Sequence, residues 1–134
     1  MTPSLHITVI QEREHSLITI FKLEGDIDAE SYVLLQDKAT EYYQTGTRRL
    51  LLDLSGVHFM GSAGLRALHQ IDEMLRRETA GEDESNSGIV NGSFKSPYLK
   101  LLNPSASVAR TLKLSGFDLI FDVFHDQQAA IDAF

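Results

Sequence analysis

The run "RRLLLDLSG" (residues 48–56) constrains the fold more than any other stretch of this chain. It is apolar without alternation and of strand length, which predicts a strand buried on both faces of a sheet. The residues that follow, "VHFMGSAGLRAL", break at small side chains and resume at helical spacing. Leu65, Leu68, Ile71 and Leu75 form one apolar stripe, with His69, Asp72, Glu73 and Arg76 expected on the surface. A buried strand feeding an amphipathic helix is a building unit of α/β sheets. Ser62 sits at the junction between the two.

The flanking segments extend that pattern. "SLHITVIQ" alternates through Leu5, Ile7 and Val9 and predicts a half-buried strand. "SLITIFKLEG" is apolar on both faces, Leu17, Phe21 and Leu23 against Ile18 and Ile20, and predicts a central strand. The polar turn "EREHS" between them implies a hairpin. Asp28 is the expected N-cap of a helix carrying Tyr32, Leu35, Ala39 and Tyr42 up to Gly46. From residue 98, "YLKLL" predicts a strand. "SASVARTLKLSG" predicts a helix capped by Ser105 and stopped by Gly116, "LIFDVF" a short strand and "DQQAAIDAF" a last helix. The order β-β-α-β-α-β-α-β-α predicts an α/β fold, a mixed β-sheet packed by helices.

Residues 78–97, "ETAGEDESNSGIVNGSFKSP", interrupt the rhythm with acidic residues, glycines and serines. They predict a linker-like insertion within a single domain spanning 1–134. Its Ser85, Ser87, Ser93 and Ser96 are alternative phosphate acceptors to Ser62.

Composition narrows the function classes. A chain of 134 residues can bury one core without covalent staples. It has no cysteine, which excludes disulfides, thiolate metal sites and a cysteine nucleophile. The net charge is -7 and the basic residues are not clustered, which argues against nucleic acid as a partner. No apolar stretch approaches membrane-spanning length and Met1–Ser4 lack a basic run, so a soluble cytoplasmic protein without membrane contact is expected.

Ser62 admits three readings: helix cap, nucleophile, or phosphate acceptor. The hydrolase elbow G-x-S-x-G fails because Met60 fills its first glycine position, although Gly64 fills the second. His69 and His125 lack a triad context. The phosphate-cradling and dinucleotide glycine motifs are absent. Asp26 and Asp28 form a pair without neighbouring metal ligands, so no metal, cofactor or enzymatic activity is expected. A cap with Gly61 easing the exit from the strand, and an exposed hydroxyl at the positive end of a helix dipole, both remain.

"LLLDLSGVHFMGSAGLRAL" resembles the signature of the STAS domain, the fold of bacterial anti-sigma-factor antagonists. "LEGDIDAES" matches the family's Leu-x-Gly-x-x-Asp turn, and "LKLSGFDLIFDVF" its late helix and strand. The resemblance implies a STAS-like fold and partner switching. An unphosphorylated antagonist binds an anti-sigma factor, often a serine kinase, and frees the sigma factor for transcription. Phosphorylation of a serine at the helix start breaks the complex, and a serine phosphatase resets it. By position Ser62 matches that serine. Gly61, Ala63, Gly64, Leu65 and Arg66 line the same turn, and Asp26 and Asp28 match the acidic turn beside it as partner-binding residues. The best-known pattern has Asp before the serine and Ser or Thr after it, where this chain has Gly61 and Ala63. The family also contains modules that bind as scaffolds or ligand sensors without phosphorylation, which is the alternative reading.

Overall fold

In the computed structural model the described residues are 5–12, 17–77 and 95–134. Among these, five strands and four helices follow the expected order: β1 (Leu5–Glu12), β2 (Ile18–Ile27), α1 (Tyr32–Gln44), β3 (Leu50–Met60), α2 (Ser62–Arg76), β4 (Leu99–Leu102), α3 (Ala106–Ser115), β5 (Val123–Phe124) and α4 (Gln127–Asp132). The strands form one sheet in the order β1-β2-β3-β4-β5. The β1–β2 hairpin is antiparallel, and β2, β3, β4 and β5 run parallel.

The side-chain period of two divides the apolar strand residues between two cores. Phe21, Leu23, Leu50, Leu52, Leu99 and Leu101 face one side, under Leu35 and Ala39 of α1, Leu68 and Ile71 of α2, and Val108 and Leu112 of α3. Ile18, Ile20, Leu51 and Leu102 face the other, under Ala130 and Ile131 of α4. The unbroken run in β3 is therefore needed, because both faces of that strand are covered. Lys100 also lies almost wholly buried on β4, with its ammonium 3.2 Å from Asp122 Oδ2.

The helix ends differ from one another in ways the sequence only partly anticipates. Ser105 caps α3 by accepting from the Val108 N–H, and Gly116 ends it with φ 81°, the left-handed conformation that favours glycine. Downstream of Gly116 the expected strand "LIFDVF" is mostly absent. Phe117–Leu119 instead form a 3₁₀ turn, with Ile120 and Phe121 N–H groups both donating to Phe117 O, and only Val123–Phe124 pair with β4.

Two surface assignments are corrected. Asp72 is buried on α2, where its carboxylate accepts from the Ser96 hydroxyl and, at 2.9 Å, from Arg76 Nε. Ser96 is fully buried, and its oxygen also accepts from the Tyr98 and Leu99 N–H groups at 3.1 and 3.2 Å. Ser96 is thus a fixture of the turn into β4 and is not available as a phosphate acceptor. Of the 78–97 segment, residues 78–94, with Ser85, Ser87 and Ser93, lie outside the described residues. Ser96→Ala is expected to lower unfolding free energy by about 1–3 kcal/mol in urea denaturation, since it strips a donor from a buried carboxylate and an acceptor from two amides.

Candidate functional site at the head of the second helix

The site is built where β2 and β3 end together. Along this parallel pair the register slips twice. Lys22 pairs with Asp53 but Glu24 with Gly56, and Gly25 pairs with Val57 but Asp26 with Phe59. Each slip is a β-bulge in β3. At the first, Asp53 Oδ1 accepts from the Ser55 N–H at 3.0 Å, and a Cβ on Gly56 would stand 2.8 Å from Leu23 O. "Asp-Leu-Ser-Gly" is therefore a bulge sequence, with each end of it serving the backbone. Because each bulge advances the phase by one residue, Leu54, Val57 and Met60 all reach the same core.

Ile27 and Met60 are the last pair of the ladder, and the Gly61 N–H then donates to Ile27 O at 3.0 Å. Helix α2 starts one residue later. Its N-cap is Gly61, in the extended conformation with φ -91° and ψ -174°, and Ser62 is the first helical residue. One expectation is corrected here: Ser62 is not the cap. Gly61, expected to ease the exit from the strand, stands there without a left-handed φ. The Ser62 side chain is exposed, and its hydroxyl has no hydrogen-bond partner among the described residues.

Glycine matters at the turn for closeness instead. A Cβ on Gly61 would lie 3.2 and 3.3 Å from ring atoms of Phe59, itself 50% exposed. Gly64 is buried, and a Cβ there would lie 2.7 Å from Met60 Cγ, 2.9 Å from Ile27 Cγ2 and 3.1 Å from Ile27 O. Only a bare backbone lets the first turn of α2 rest on the ends of β2 and β3. Ala63 and Leu65 are partly buried, Leu65 against the helix-side core, and Arg66 is exposed one turn on from Ser62. Phe59 was not anticipated as a surface residue. Strand alternation alone conceals it, because the second bulge is what turns it outward.

The acidic turn closes the same end of the sheet. Asp28 Oδ1 accepts from the Glu30 and Ser31 N–H groups, each at 3.0 Å, and the Tyr32 N–H donates to Asp28 O. Asp28 therefore caps the turn leading into α1, while the regular helix begins at Tyr32 with Ser31 in the N-cap position. The Ser31 hydroxyl donates to Asp26 O at 2.6 Å, lies 3.0 Å from Asp28 Oδ1 and accepts from the Asp28 N–H. The Asp26 carboxylate has no hydrogen-bond partner among the described residues. The Ser31 N–H first, then the Glu30 N–H and the Ser31 hydroxyl, hold the Asp28 carboxyl below its ordinary value.

The structure thus gathers Asp26, Asp28, Gly61, Ser62, Ala63 and Gly64 at one end of the sheet. Among the described residues no cluster of three metal-ligating side chains occurs, and no helix is long and apolar enough to cross a membrane.

Comparison with known proteins decides the family. The STAS domain model matches residues 9–80, which take in β2, α1, β3 and α2 and so the whole site. The chain belongs to the STAS domain family. It is 28% identical over 112 residues to BtrV of Bordetella bronchiseptica, assigned as an anti-sigma factor antagonist, covering 84% of this chain and 82% of BtrV. Its fold is similar to an anti-sigma factor antagonist from Mycobacterium paratuberculosis, with TM-score 0.69, 23% identity and coverage of 96% and 93% of the two chains. It is similar as well to the antagonist SpoIIAA in its unphosphorylated form, with TM-score 0.66, 18% identity and coverage of 93% and 94%. The phosphorylated form of SpoIIAA from Bacillus matches with TM-score 0.60, 17% identity and coverage of 93% and 97%. At these identities the structural likeness speaks for the STAS fold. Antagonists of this family are non-enzymatic regulators.

Two outcomes test the STAS site's construction. Gly64→Ala should destabilise the protein by about 1–2 kcal/mol in urea denaturation. The overpacking against Ile27 and Met60, about 1–3 kcal/mol, outweighs the helix-propensity gain of at most about 1 kcal/mol. Asp28 should titrate below the ordinary aspartate range by carboxyl-detected NMR, and Ser31→Ala should move its midpoint upward. The folded turn favours the carboxylate, so whatever stability Asp28 contributes is complete above the ordinary aspartate range and is lost as pH falls through the lowered value. An unmoved midpoint in Ser31→Ala would reject the hydroxyl's share and leave the Ser31 and Glu30 N–H groups as the cause.

Proposed function

We propose that the chain is an anti-sigma-factor antagonist that binds an anti-sigma factor with serine-kinase activity in the cytoplasm, and that phosphorylation of Ser62 ends the complex. The observation that carries this reading is the Ser62 hydroxyl: exposed, without a hydrogen-bond partner among the described residues, and fixed at the head of α2. The turn that holds it is pinned to β2 through Gly61 and Ile27. A kinase can reach such a group without unfolding anything. The assigned role of BtrV supports the antagonist reading, and the existence of SpoIIAA in unphosphorylated and phosphorylated forms supports the switch. The chain acts as a single STAS domain over 1–134, with 78–97 as an insertion.

The partner surface comprises Asp26, Asp28, Gly61, Ala63, Leu65 and Arg66, with Phe59 as its apolar anchor; Gly64, expected among them, is buried against Ile27 and Met60 and shapes that surface from beneath. A half-exposed phenylalanine beside a backbone-only turn suits recognition, since aromatic side chains carry a large share of binding energy in many interfaces. Phosphate adds about -1.5 to -2 charge units to Ser62. Beside the ionised acidic turn that charge repels an acidic partner surface and must be desolvated in any interface. A serine phosphatase restores the binding form.

Binding is measured with the kinase-type anti-sigma factor recovered from the native cell on the wild-type protein. Ser62→Ala should retain affinity by calorimetry, and Ser62→Asp should lose at least about tenfold, or about 1.4 kcal/mol. Equal affinities for the two variants would reject the switch at this residue.

A further inference from the structure

The two edges of the sheet are unlike. At one end β5 pairs over only two residues, a length that offers no template for further pairing. At the other, β1 runs for eight residues in unbroken register with β2, from Leu5 opposite Gly25 to Glu12 opposite Ile18, without a bulge. Among the described residues no strand covers its outer side. Within Leu5–Glu12 there is no proline and no lysine, and Glu12 is the sole carboxylate. The devices by which proteins commonly protect a long edge, namely bulges, prolines and charges along the strand, are missing from its centre.

The side chains of β1 are also incompletely covered. Ile7 and Val9 pack against the helix-side core but remain partly exposed, and on the opposite face Ile10 is 47% exposed with Thr8 and His6 beside it. We infer that β1 pairs antiparallel with β1 of a second copy, joining two sheets about a two-fold axis at Thr8. The strand's own sequence selects this occupant. Antiparallel pairing keeps side chains on their faces only when opposed residues have the same parity. About Thr8 it sets Ile7 against Val9 twice on the helix side, so each copy completes the other's half-covered core. It sets His6 against Ile10 twice on the open side and Thr8 against Thr8 at the axis. No like charges are opposed, and aliphatic and Thr–Thr cross-strand pairs are favourable ones. The interface is isologous, as a closed dimer requires. The edge is two strands removed from β3, so both copies keep the Ser62 end uncovered, and the inference stands apart from the role proposed for Ser62.

The absence of cysteine from the chain makes the test direct. Opposed Cα atoms in an antiparallel pair lie about 4.5–5.5 Å apart, inside the span of about 4.4–6.8 Å that a disulfide bridges. Thr8→Cys should therefore oxidise to a covalent dimer at least about tenfold faster than Lys113→Cys on exposed α3, because pairing raises the local thiol concentration to about millimolar or more. Light scattering on the wild type should give a mass rising from 15.0 kDa toward twice that value with concentration. A strand-only contact is small, so the rise belongs in the range from about 1 µM to about 1 mM. Thr8→Lys, which opposes two ammonium groups at the axis of an exposed position, should hold the mass at one chain. A wild type that stays monomeric throughout, with Thr8→Cys no faster than Lys113→Cys, would overturn the inference and leave the edge to a strand of another protein.

Discussion

The pairing of β3 with β2 is the interaction on which the rest of the structure depends. Its two bulges convert an eleven-residue strand into a device that changes phase while it runs, so that Leu52, Leu54, Val57 and Met60 reach one core at spacings of two, three and three. In an unbulged strand Val57 would fall on the opposite face from Leu54, and either the core or the site would be lost. The second bulge brings Met60 down beneath α2 and turns Phe59 outward. The position of Ser62 thus follows from backbone register two to eight residues upstream of it.

Glycines let that register be used. Gly56 allows Leu23 O to approach at the first bulge, and Gly64 allows α2 to settle on Ile27 and Met60. Neither has a positive φ, so neither is there for turn freedom. Both are there because another group occupies the space of a Cβ. The hydrogen bond from Gly61 to Ile27 O then locks the turn to the strand it must leave. Core packing and site geometry are in this region one set of contacts.

The element order was legible because periodicity depends on each residue's own chemistry and near neighbours. The runs at Leu50–Leu52 and Ile18–Leu23, the Ser105 cap and the Gly116 stop are all of that kind. What escaped depends on partners distant in sequence. Asp72 lies in the polar half of its helix by pattern, yet Ser96 comes to meet it from across 24 residues, making burial of a carboxylate tolerable. Ser96, in turn, looks like any serine in a polar linker. The end of the chain departed for a local reason: the residues after Gly116 close a 3₁₀ turn and leave only two for the sheet. At the site, the strand-to-helix turn was readable and its cap was not, since Gly61 rather than Ser62 occupies the cap position.

That exchange of roles bears on chemistry. Ser105 and Ser62 both stand at the head of a helix, but Ser105 donates to Val57 O and accepts from Val108, so its hydroxyl is occupied on both counts. A modified Ser105 would have to break two hydrogen bonds first. Ser62 has none to break among the described residues, and its exposure means that added bulk meets solvent rather than core. In the proposed switch, phosphate on Ser62 therefore changes the charge of the surface while leaving the fold beneath it alone. The adjoining turn is built for the same separation. Backbone amides keep Asp28 ionised well below neutral pH, so its negative charge is a constant and the phosphate is the variable. A partner reading this end of the sheet would sense the added charge against a rigid background, which is what a binding switch without catalysis requires.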